Sequence, residues 1–196
     1  MTFIKFCGMT RAEDLQAACD LGVDAVGFVL WPKSPRFVGL HQLPSLIKIL
    51  PPTVTPVGVF VSPDDDEVRW ARDAGVRIVQ VHGDVGSRLD GEVWVARALD
   101  TGVDLIPRKV PIVLDAADPV RHGGTGRIID WARAATIAAS RRVILAGGLT
   151  PANVGDAVRE VRPYGVDVAS GIEDRPGIKN ARAMTAFVAA VREASS

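Results

Sequence analysis

The chain is poor in cysteine, with only Cys7 and Cys19 among 196 residues. With 47% of its residues hydrophobic, a chain of this length builds a core that needs no covalent staples, which argues against a disulfide scaffold and for a reducing compartment, the cytoplasm. Net charge is lacking too: 23 lysines and arginines stand against 23 aspartates and glutamates. No general field draws such a surface to nucleic acid or to an anionic membrane, so any bound anion has to be caught by local groups. No apolar run reaches membrane-spanning length, and the N-terminus reads as a strand rather than a charged region ahead of a long apolar stretch. Linkers and low-complexity segments are missing as well, so residues 1–196 are expected to form one domain.

What is there is a repeat: a short apolar run, a loop with glycine or a cap residue, then helical spacing. Eight runs follow one another, Phe3 to Cys7, Ala25 to Leu30, Pro56 to Val61, Ile78 to His82, Val93 to Ala98, Val110 to Asp115, Val143 to Gly147 and Val166 to Ser170. Runs as continuously apolar as Ala25 to Leu30 suit a parallel sheet buried on both faces. Helix starts are expected at Thr10 with Glu13, as a capping box, and at Ser62-Pro63 and Thr150-Pro151, each a cap oxygen before a proline. Eight such units predict an α/β fold, a single (β/α)8 TIM barrel. The barrel is expected to be shortened around strand 5 and helix 5, because residues 99–108, with Gly102 and Pro107, leave little room for a helix. An open doubly wound sheet fits less well, since no Gly-x-Gly-x-x-Gly follows the first strand.

In a barrel, chemistry stands at the C-terminal ends of the strands. Cys7, His82, Asp115 and Ser170 occupy such ends. As a thiolate, Cys7 could take a proton from carbon next to a carbonyl or imine, provided nearby donors or cations depress its pKa; its plainer alternative is a buried core thiol. Asp115 would be costly to bury without a task, and could serve as the matching acid or cap the next loop. Cys19 has core spacing within the first helix and reads as packing. Gly147-Gly148 and Ser170-Gly171 follow strands seven and eight, where this fold commonly holds phosphate on backbone amides, although each pair could also be a tight turn. Pro32 and Pro35 frame a loop that could aim Arg36 as a bidentate carboxylate clamp, and His82, after Gln80, could orient substrate. Metal-ligand spacing, a Walker loop and a nucleophile elbow are all absent, so neither metal nor cofactor is expected.

Together, Lys5-Phe6-Cys7-Gly8-Met9-Thr10, Gly27-Phe28-Val29 with Ser34-Pro35-Arg36, Val79-Gln80-Val81-His82-Gly83, Gly123-Gly124-Thr125-Gly126 before Asp130-Trp131, and the two late glycine loops resemble the phosphoribosylanthranilate isomerase family of tryptophan biosynthesis, from residue 3 to about residue 180. The resemblance implies a cofactor-free Amadori rearrangement of N-(5-phosphoribosyl)anthranilate. By that likeness Asp115 protonates the ribose ring oxygen, Cys7 removes the C2 proton, Arg36 meets the anthranilate carboxylate, and amides at Gly147, Gly148, Ser170 and Gly171 hold the phosphate. The implied partner is a small phosphorylated molecule, and the assembly a monomer or a homodimer. Two positions depart from the family pattern: Ala169, where a second serine is usual, and Asn180, where aspartate is common. The first could cost a hydroxyl at the phosphate, and the second should touch only the last helix start.

Other barrels and a binding-only role fit the sequence less well. The sister barrel of histidine biosynthesis resembles a duplicated half-barrel with aspartate, not cysteine, closing strand one. Thiamin-phosphate synthase and ribulose-phosphate epimerase barrels would need metal-binding acids or histidines that the sequence does not place. A non-catalytic phosphate-binding barrel predicts glycine loops with a degraded acid/base pair, whereas both members are present.

Overall fold

The computed structural model describes residues 1–83, 91–99, 101–115 and 129–196. Eight strands, β1 (Phe3–Cys7), β2 (Ala25–Val29), β3 (Thr55–Val61), β4 (Ile78–His82), β5 (Glu92–Arg97), β6 (Ile112–Leu114), β7 (Val143–Leu145) and β8 (Gly165–Val168), pair in chain order. All neighbours are parallel, and β8 returns to β1, with Phe3 opposite Gly165 and Phe6 opposite Val168, which closes the barrel. The expected fold is therefore observed, and every expected run coincides with a strand to within two residues at either end.

Alternation along the strands builds two apolar layers. Outward side chains such as Phe6, Phe28, Val79, Leu114, Leu145 and Val166 pack under the helices, while inward ones such as Ala25, Val57, Ile78, Trp94, Val113 and Ile144 fill the barrel. Near the C-terminal strand ends the inward positions mix apolar side chains with the polar Gln80, His82, Asp115 and Asp167, and these make the site.

The connecting helices are α1 (Ala12–Asp20), α2 (Leu43–Ile47), α3 (Asp65–Asp73), α4 (Trp131–Ala138), α5 (Val154–Val161) and α6 (Ala181–Ala194). Among the described residues between β5 and β6 there is only a 3₁₀ turn, Val103–Leu105, in agreement with the expected shortening. Its carbonyls are collected by Arg141, whose guanidinium donates to Val103, Ile106, Pro107 and Val110 oxygens at 2.9–3.1 Å. A hairpin, β9 (Glu173–Arg175) and β10 (Ile178–Lys179), stands between β8 and α6.

Three helix starts differ from expectation. Helix α1 is entered through Arg11 with no side-chain cap, because the Thr10 hydroxyl donates instead to the Gly177 carbonyl. For α3 the cap is Asp64, which accepts from the Glu67 amide at 2.8 Å while Glu67 accepts from the Asp64 amide at 3.0 Å, so the capping box lies two residues beyond Ser62. Helix α5 begins at Val154, not at Pro151. The side chain of Asn153 turns back onto the glycine loop, accepting from the Thr150 amide at 2.8 Å and donating to the Gly148 carbonyl at 3.0 Å.

Candidate active site

The C-terminal mouth of the barrel opens into a cavity of about 570 Å³. Cys7, Arg36, His82, Asp115, Gly147, Gly148 and Ser170 all line it. Strands far apart in sequence thus bring to one mouth seven of the eight residues proposed from sequence. The eighth, Gly171, lies just behind: a Cβ on it would stand 1.9 Å from the Leu149 carbonyl oxygen, so the turn after β8 rests directly on the loop after β7. The Gly123 to Gly126 run lies outside the described residues.

The phosphate-type loops have the backbone their residues predict. Gly147 and Gly148 take φ of 79° and 66°, the left-handed region in which a side chain is strained. The Ser170–Ile172 segment is a 3₁₀ turn. Among the described residues, the amides of Gly147, Gly148, Ser170 and Gly171 donate no backbone hydrogen bond outside the helices and strands. Four donors at one mouth, three of them on glycines, suit an anion carrying several oxygens.

Around Cys7 the structure adds four charged residues that the sequence reading did not assign. Lys5 is fully buried and pairs with Asp167 at 2.8 Å, and Lys179 is buried with its ammonium donating to the carbonyls of Cys7 (2.6 Å) and Ala169 (3.2 Å) and to Glu173 (2.9 Å). Glu173 in turn holds Arg36 by both Nε and Nη2. One signal for them was available. Lys5 and Asp167 interrupt otherwise apolar strands, the same cost of burial that drew attention to Asp115.

These charges do not leave Cys7 with a depressed pKa. Burial pushes the thiol up, Lys5 and Lys179 pull it down, Asp167 pushes it up again, and the outcome is above the ordinary value. The condition set for a thiolate is met in its cations and opposed by its burial. The Arg36 expectation also changes in detail: its two-point face is committed to Glu173, so a substrate carboxylate would meet the opposite edge of the guanidinium.

Two buried acceptors on the cavity wall, Gln80 Oε1 and Asp167 Oδ1, have no hydrogen-bond partner among the described residues. Gln80 Nε2 lies 3.3 Å from His82 Nε2, which ties the two β4 side chains together. Ala169 packs against the inner apolar cluster; Asn180 caps α6 by accepting from the Ala183 amide at 2.9 Å, but it also donates to Asp174 in β9 at 2.7 Å, so it touches more than the last helix start. Among the described residues there is no group of three or more His, Cys, Asp or Glu able to hold a metal ion, and no helix is long and apolar enough to cross a membrane.

The family model described as N-(5′-phosphoribosyl)anthranilate (PRA) isomerase matches residues 4–190. The chain belongs to this family. Its sequence is 41% identical to the N-(5′-phosphoribosyl)anthranilate isomerase of Geobacter sp. (strain M21), aligned over the whole of both chains. Among solved structures it is similar to a phosphoribosyl anthranilate isomerase in complex with reduced 1-(o-carboxyphenylamino)-1-deoxyribulose 5-phosphate, at 31% identity and a TM-score of 0.86, covering 98% of this chain and 100% of the other. Monomers generated from the dimeric isomerase of Thermotoga maritima superpose with a TM-score of 0.84 at 31% identity, over 98% of this chain and 99% of that one. Membership in the isomerase family disfavours the histidine-pathway and non-catalytic alternatives.

Proposed function

We infer that this chain, acting as one catalytic unit over residues 1–196, converts N-(5-phosphoribosyl)anthranilate to 1-(2-carboxyphenylamino)-1-deoxyribulose 5-phosphate by general acid/base catalysis. The observation that carries the reading is the meeting of Cys7 and Asp115 in one cavity with the glycine loops that follow β7 and β8. Asp115 at the end of β6 protonates the ribose ring oxygen, the C1–O bond breaks, and the nitrogen lone pair completes a Schiff base. Cys7 then takes the proton from C2, and its electron pair moves to give the enolamine, which tautomerises to the ketone. No atom is gained or lost, and no redox partner is needed.

Binding energy comes from the two ends of the substrate. Amides at Gly147, Gly148, Ser170 and Gly171 hold the phosphate, and the open edge of Arg36 takes the anthranilate carboxylate as a charge-assisted donor. Between them Gln80 Oε1 and Asp167 Oδ1 accept from sugar hydroxyls, and His82 orients them. Fixing both ends places the C2 hydrogen against Cys7. The residues that supply these contacts suffice for a monomer or a homodimer.

The test is the loss of substrate fluorescence when purified protein meets freshly made phosphoribosylanthranilate, beside Cys7→Ser and Asp115→Asn. Turnover by the parent protein, falling roughly 10²–10⁴-fold in each variant, is the expected outcome. Turnover that survives in one variant removes that residue from the pair, and a parent protein without turnover overturns the reading.

A further inference from the structure

Lysine inside a barrel is unusual, and Lys5 is fully buried, alongside side chains such as Phe6 and Phe28. It stands two residues before Cys7 on β1, so both side chains enter the same interior face. The register sets Lys5 opposite Ala25 and Cys7 opposite Gly27, two small inward residues of β2. A Cβ on Gly27 would lie 2.9 Å from Cys7 Sγ and 3.2 Å from Lys5 Nζ, so the bare backbone of β2 is what lets the thiol and the ammonium lie side by side. Asp167 holds the ammonium from β8 at 2.8 Å through Oδ2 alone.

We propose that Lys5 is a positioning residue for the isomerisation: its ammonium, anchored by Asp167 and lying against Cys7 Sγ, stabilises the thiolate that takes the sugar proton while keeping its own. The inference rests on the assignment of Cys7 as the base. Removing an apolar-buried thiol's proton is unfavourable unless a fixed cation faces the sulfur, and Lys5 is the cation whose side chain reaches it. Burial would push the Lys5 ammonium towards its neutral form, but Asp167 and Cys7 more than reverse this, so it remains a cation rather than a proton donor. Lys179 faces the Cys7 carbonyl with its charge answered by Glu173, and Glu173 also answers Arg36. Asp115 and His82 share the same cavity. Of these groups, Lys5 and more weakly Lys179 favour the thiolate, and Asp167 opposes them.

That opposition makes the proposal testable without turnover. In a Cys19→Ser background, the rate of Cys7 alkylation by iodoacetamide is followed against pH for the parent, Lys5→Met, Lys5→Gln and Asp167→Asn, with folding checked by circular dichroism. Expected is a midpoint moved to higher pH in both Lys5 variants, with alkylation at neutral pH slowed about tenfold for each unit of the move. Asp167→Asn, which removes a repelling charge, should not move the midpoint the same way. The acid limb of the kcat profile should follow the midpoint, with KM little changed. An unmoved midpoint in a folded Lys5 variant, or one moved equally by Asp167→Asn, overturns the proposal. If the parent turns over no phosphoribosylanthranilate while the midpoint still shifts, the assigned reaction fails and the control of the thiol by Lys5 stands.

Discussion

Glu173 grips Arg36 at two points, with Nε 2.9 Å from Oε1 and Nη2 2.7 Å from Oε2, and both groups are largely buried. A guanidinium fixed in this way presents its remaining donors in one plane and one direction, before any substrate arrives. Replacing Glu173 with Gln breaks the charge-assisted fork and leaves two cations, Arg36 and Lys179, without their shared anion. KM should rise about tenfold with a smaller effect on kcat, since the lost order concerns binding of the carboxylate end. Steady-state kinetics checks it.

The same carboxylate gives a pH dependence of stability. Burial pushes Glu173 up, but the Arg36 hydrogen bonds and the Lys179 charge outweigh this and hold it below the ordinary 4.5. The folded protein therefore binds fewer protons than the unfolded chain, and the stabilisation is present above the unfolded value and lost as pH falls through the folded one. Urea midpoints measured from neutral pH down past 4.5 should fall more steeply for the parent than for Glu173→Gln.

Arg36→Lys keeps the charge and loses the planar fork, so it should weaken substrate binding by roughly 1.5–3 kcal/mol. The substrate analogue built on aniline, without the carboxylate, should show almost none of this difference. Equal penalties on the two compounds would count against Arg36 as the carboxylate partner.

Gly171→Ala places a methyl 1.9 Å from the Leu149 carbonyl, a backbone atom that no rotamer change can relieve. The turn after β8 must then lift from the loop after β7. Stabilisation of the protein by inorganic phosphate in thermal melts should disappear, whereas Arg36→Lys should retain it.

The fold was legible because strand burial is written in apolar runs and barrel closure follows from their number. The helix starts were less so: at Thr10 the hydroxyl is spent on Gly177, seen only once the hairpin β9–β10 is folded against α1, and at Asn153 the cap-type side chain serves the preceding loop instead. Site residues at strand ends could be picked out one at a time, since Cys7, Asp115 and His82 each end a run. Their electrostatic partners could not, because Lys5 meets Asp167 across 162 residues and Arg36 meets Glu173 across 137. Separations of that size carry no local pattern. The direction of the Cys7 shift likewise depends on how burial weighs against two cations and an anion, a balance set by packing.

Arg141→Met removes donors to four carbonyls near the N-terminal end of the barrel, far from the mouth. Stability should drop by about 2 kcal/mol, with kcat/KM unchanged at a temperature where the variant is folded. Denaturant unfolding beside kinetics separates the two effects.

The single guanidinium that stands in for a helix between β5 and β6 also marks a seam in the wall. The turn it collects leaves Leu105 almost wholly in solvent, and catalysis asks nothing of the segment. New chain ends or a grafted module placed at Thr101, ahead of the turn, would leave the eight-stranded ring and the four carbonyls held by Arg141 in place, so this barrel can be recut there without giving up a helix.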